Sequence, residues 1–73
     1  MISEKVIEMA VMRVERLPKK VLRDFYSNLS IPIELKEIIL SYADGRLNEY
    51  ITLRELLKLK ESVARNYKNN QSA

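Results

Sequence analysis

Residues 5–17 read KVIEMAVMRVERL, and the spacing of apolar side chains in this stretch decides the fold class. Val6, Ile7, Ala10, Val11, Val14 and Leu17 recur every three or four positions, the period of an α-helix rather than a strand. On a helical wheel they fill one broad arc, enough to join a bundle core. Glu4, Glu8 and Glu15 line up beside that arc as an acidic strip. A third sector holds Ile2, Lys5, Met9, Met12, Arg13 and Arg16. The segment thus has more apolar circumference than one buried face requires. Met9 and Met12 are either further core, covered by another helix or a second copy, or part of a partner-binding face. Methionine adapts readily to contact surfaces, and arginine is enriched at interfaces.

Working outward, Ser3 suits the N-cap of this first helix and Glu4 the positive end of its dipole. Pro18 stops it by disfavouring α geometry at Leu17. A second helix is expected from Pro18 to Leu29, with Pro18 at its first position and an apolar stripe of Val21, Leu22, Phe25, Tyr26 and Leu29. Asn28, Ser30 and Pro32 mark the next break. The third helix starts at Pro32 and ends near Ala43, with Leu35, Ile38, Ile39, Tyr42 and Ala43 inward. Gly45, the only glycine, stands where a left-handed cap is needed. Residues 44–51 read as a loop or a short helical turn. Thr52 and Glu55 form a T-x-x-E capping box ahead of a fourth helix over Leu53 to Tyr67, on which Glu61 and Arg65 are spaced to pair. The expected fold is all-α, a compact three- or four-helix bundle, dimeric or docked in a larger complex. Residues 1–67 form a single helical domain and 68–73 a flexible polar tail.

The chain has 73 residues and neither Cys nor His. Disulfides, Cys/His zinc sites, thiol nucleophiles and imidazole bases are therefore excluded together. One glycine cannot build a phosphate-cradling loop. A calcium loop with Gly45 at its sixth position would need Leu40, Tyr42 and Ile51 as ligands, which they cannot be. The expectation is a non-enzyme without catalytic residues, cofactor or metal. A chain this short buries only ~60% of its unfolded surface, so oligomerisation is the stabilising device left to it. No run approaches the ~18 apolar residues of a membrane span. No membrane partner is expected, and a cytoplasmic location is.

The net charge of +3 is unevenly spread. Arg13, Arg16, Lys19, Lys20 and Arg23 crowd around Pro18 with Glu15 as the only acid among residues 13–23. Cations at the start of the second helix oppose its dipole, a conflict that a bound anion relieves. Lys58, Lys60, Arg65 and Lys68 extend this cluster if the fourth helix lies alongside. FYSNLSIPIELKEIIL, residues 25–40, loosely follows a helix-turn-helix phrase. Tyr26 and Lys36 break that phrase where it wants a small and an apolar residue, and Glu34 and Glu37 would repel phosphates. Tyr26, Tyr42 and Tyr67 fit the apolar stripes, whereas Tyr50 lies outside them.

The sequence thus favours a non-catalytic interaction module or accessory subunit. It would bind a partner, either itself as a homodimer or a larger protein complex, through Met9, Met12, Arg13 and Arg16. The alternative is sequence-nonspecific contact with a nucleic-acid backbone through Arg13, Arg16, Lys19, Lys20, Arg23, Lys58 and Lys60.

Overall fold

The computed structural model describes the backbone of residues 2–72 and the side chains of residues 2–66. It is an all-α bundle of four helices: α1 Glu4–Arg16, α2 Lys19–Ser27, α3 Ile33–Ala43 and α4 Glu49–Ser72. The flexible tail expected over 68–73 and the inward placement expected of Tyr67 lie outside the residues described in full.

The helix ends follow local chemistry. Ser3 Oγ accepts from the Val6 N–H at 3.2 Å, closing the start of α1. The α1 ladder ends where Leu17 N donates to the Arg13 carbonyl, and Leu17 itself is extended ahead of Pro18. Pro18 and Pro32 both occupy N-cap positions, one residue before the helical position expected of them. Each offers its carbonyl to the first turn, to Leu22 N and Lys36 N respectively. At the end of α3, Gly45 takes φ +82°. Arg46 N then donates to Ser41 O and Gly45 N to Tyr42 O, which is the Schellman closure.

The start of α4 differs from expectation. Asn48 is the cap: its Oδ1 accepts from Ile51 N at 2.8 Å, and its carbonyl accepts from Thr52 N. Asn is at least as good a cap as Thr, and capping at Asn48 adds a turn of helix ahead of the T-x-x-E phrase. Thr52 is therefore inside α4 and fully buried, its hydroxyl donating to the Asn48 carbonyl at 2.7 Å. That bond gives a buried hydroxyl the partner it needs.

α4 runs along α1 and also touches α3, while α2 packs chiefly on α3. Among the described residues, α2 and α4 do not meet. The core between them is Ile7, Ala10 and Val14 of α1, Leu22 and Tyr26 of α2, Leu35, Ile39, Tyr42 and Ala43 of α3, and Leu56 of α4. The expected α3 stripe is fully inward except for Ile38, which is half-buried. The α1 and α2 stripes are narrower than expected. Val6, Leu17, Val21 and Phe25 remain exposed, because each of these helices has only one flank of its apolar arc against the core.

Candidate docking surface

Among the described residues, Val6, Met9, Met12, Leu17, Val21 and Phe25 concentrate the exposed large apolar side chains on α1, α2 and their junction; Ile33, Tyr50 and Leu57 lie elsewhere. Helical geometry explains the concentration. Ile7, Ala10 and Val14 fix the inward direction of α1, and Met9, Met12, Lys5 and Arg16 fall on the opposite side of the wheel. α4 approaches α1 along the acidic strip, where Lys60 Nζ reaches Glu8 Oε1 at 4.0 Å. α2 approaches the other flank, through Arg13. The sector between is left uncovered. Met9 is 39% and Met12 46% exposed, so neither is closed over by the fourth helix.

Arg13 joins the two helices. Its guanidinium lies 4.7 Å from the Phe25 ring centroid and 5.9 Å from that of Tyr26. Its Nη1 also donates to the Tyr26 hydroxyl at 3.0 Å. Phe25 and Tyr26 meet edge to face at 5.2 Å. Met9, one turn before Arg13, and Val21, one turn before Phe25, extend this seam in both directions. The result is a continuous strip: Met9 and Arg13 on one helix, Phe25 and Val21 on the next.

The basic residues around Pro18 have divided roles. Arg23 Nε contacts Asp44 at 3.1 Å, and its Nη2 donates to the Ala43 carbonyl at 3.1 Å, closing the end of α3. Lys19 Nζ stands 4.9 Å over the Tyr42 ring, which offsets its unfavourable place at the start of α2. Lys58 is 3.9 Å from Glu55 of its own helix. Lys60 thus lies on the acidic flank of α1, and neither lysine continues the α2 lysines, since among the described residues α4 does not contact α2. Arg16 and Lys20 are exposed and, among the described residues, have no ion-pair or hydrogen-bond partner. Among the described residues, the ion pairs of α4 are those of Lys58 and Lys60 rather than one between Glu61 and Arg65.

Sequence reasoning missed one structural cation. Lys36 Nζ donates to the Ser27 and Leu29 carbonyls at 3.2 and 3.4 Å, closing the end of α2. Its position, where a helix-turn-helix wants an apolar residue, was the only available signal. Glu34 and Glu37 are exposed. Tyr50 is 72% exposed, with Arg54 5.8 Å from its ring centroid.

An open depression beside the α3 end is lined by Glu37, Leu40, Ser41, Asp44 and Arg46. Asp44 there is engaged by both Arg23 and Arg46. Among the described residues, no three acidic side chains come together as a bound metal would require, and no helix is long and apolar enough to cross a membrane. Tyr42 has its phenol pushed up from the ordinary 10.0, first by burial and then by the charge and hydrogen bond of Glu49, whose Oε1 accepts from it at 3.4 Å.

No protein-family model, curated protein or solved structure matches the chain.

Proposed function

We propose that this chain is a non-catalytic helical interaction module that docks onto another protein through the α1–α2 face. The observation that carries the reading is the uncovered sector of α1. Met9 and Met12 stand exposed there, and the neighbouring Phe25 and Val21 of α2 are 41% and 45% exposed. Flexible thioethers and an aromatic ring beside cationic side chains make the mixture found at protein contact surfaces. Arg13 anchors the strip, so part of the surface is already ordered before a partner arrives, which lowers the entropic cost of docking.

The nucleic-acid reading has less support. Of the cations between residues 13 and 23, Arg13, Lys19 and Arg23 are occupied by aromatic rings, a hydroxyl, a carboxylate and a carbonyl. Arg16 and Lys20 remain for phosphates, and few phosphate contacts make a weak nonspecific binder.

The test is paired affinity capture from lysate of the cells that encode the chain. Wild type is compared with Met9→Glu and Met12→Glu. Glutamate keeps helix propensity; at position 9 it meets Lys5 and Arg13 one turn away, and at position 12 the gain from Arg16 is set against Glu8 and Glu15. A protein retained by wild type and lost from both variants supports docking here. Identical capture by all three removes the reading. Retention of nucleic acid alone by wild type, released at moderate salt, replaces it with the alternative.

A further inference from the structure

Which partner fits this face follows from its charge. The uncovered sector of α1 carries Lys5 and Arg16 beside Met9 and Met12, with Arg13 at its α2 edge and the exposed acids Glu8 and Glu15 bordering it on the α4 side. On α2 the flank beside Phe25 and Val21 adds Lys20 and one acid, Asp24. Asp24 is one turn from Lys20, and the two form no ion pair. The acids of α1, Glu4, Glu8 and Glu15, fall on the flank where α4 packs, and Lys60 already faces Glu8.

A face whose central cations, Lys5 and Arg16, have acids only at its edges complements itself poorly. In a two-fold dimer the same patch meets itself. Antiparallel α1 helices centred between Met9 and Met12 would set Lys5 opposite Arg16 of the other copy, and the opposite-charge pairing of that register, Glu8 with Arg13, would draw on groups already engaged by Lys60 and by Phe25 and Tyr26. A parallel arrangement would set each cation against its own equivalent. Like charges across an interface are penalised, and opposite charges steer association. The shape adds a second constraint. Met9 and Arg13 of α1 and Val21 and Phe25 of α2 lie along one seam bridged by Arg13, and an elongated apolar strip of this kind accepts the apolar stripe of a third helix.

We infer that the partner is an amphipathic helix whose apolar stripe is bordered by Asp or Glu, supplied by a different protein and not by a second copy. The inference rests on the docking reading above. The apolar stripe covers Met9, Met12, Val21 and Phe25, and the bordering carboxylates meet Lys5, Arg16 and Lys20.

The experiment uses the full chain, isotopically labelled, and two designed helical peptides with the same leucine and isoleucine pattern. One peptide carries Glu on the borders of the stripe and the other Lys. Each is titrated while backbone and methionine-methyl resonances are followed. The acidic peptide is expected to bind about tenfold tighter than the basic one, since several exposed pairs each contribute modestly. The shifts should centre on Met9, Met12 and Phe25. Arg16→Glu combined with Lys20→Glu should bring the preference to about twofold or less. Equal or tighter binding of the basic peptide at the same resonances overturns the inference and leaves the docking reading standing. So does a free chain that sediments as a dimer with Met12 in its interface. An oligonucleotide that moves these resonances at lower concentration than the acidic peptide also overturns it. Silence of the α1–α2 face to both peptides at millimolar concentration overturns the docking reading itself.

Discussion

The guanidinium of Arg13 in α1 lies over the ring of Phe25 in α2, 4.7 Å from its centroid, in a seam that is half open to solvent. One residue thus pins two helices whose direct contact is otherwise slight. The same guanidinium satisfies the hydroxyl of buried Tyr26. An exposed cation–π contact contributes about 0.5–1 kcal/mol and a hydrogen bond a similar amount.

Arg13→Ala should therefore lower the unfolding free energy by about 1–2 kcal/mol. In a double-mutant cycle with Phe25→Leu, urea denaturation should give a coupling of about 0.5 kcal/mol or more. Strictly additive losses would show that the two side chains are neighbours without an energetic link.

Gly45 takes a left-handed conformation to close α3, and a Cβ there would meet nothing within 4 Å. The penalty for a side chain is then conformational and not steric crowding by neighbours. Gly45→Ala should cost about 1–2 kcal/mol, and Gly45→Asn less, because Asn tolerates this region better. Thermal melts of the two variants check the order. Equal losses would mean that the Schellman closure is not what makes glycine necessary.

The raised Tyr42 phenol predicts a signature at alkaline pH. The unfolded chain releases this proton near the ordinary 10.0, and the folded chain releases it later. The contribution is therefore complete below pH 10 and is lost as pH rises through the folded value. The stability difference between wild type and Tyr42→Phe should shift against wild type as urea melts are repeated from about pH 8 to about pH 11. A difference that stays constant across the range would contradict the assignment.

Met9→Glu and Met12→Glu should each change stability by no more than about 0.5 kcal/mol, as exposed positions do. A loss above about 2 kcal/mol in the isolated chain, typical of core truncation, would mean that these side chains are buried in solution. Circular-dichroism melts of the purified variants decide between the two.

Much of the bundle was legible along the chain because the relevant interactions are local. Ser3 caps α1 and Gly45 closes α3 as their residue types demand, and the 3.6-residue spacing marks Ile7, Leu22, Leu35 and Ile39 as core. The start of α4 was misread because Asn48 and Thr52 are both competent caps, and local pattern does not rank two that are a turn apart. The cations were harder. Nothing near Arg13 in sequence announces Phe25 and Tyr26, and nothing near Arg23 announces the α3 carbonyl it closes. Such roles arise when distant helices meet, so a run of like charges read as one patch was divided among separate structural tasks. The exposure of Met9 and Met12 was legible in part. The wheel placed them away from Ile7, Ala10 and Val14, but which flank α4 would take depended on packing.

The most direct measurement is site-specific photo-crosslinking in the cells that encode the chain. A photoreactive phenylalanine analogue is placed at Met12, within the proposed face, or at Ile33, an exposed apolar position outside it. The account predicts a discrete adduct with another polypeptide from position 12 and none from position 33. The same adducts from both positions, or none from position 12, would contradict it.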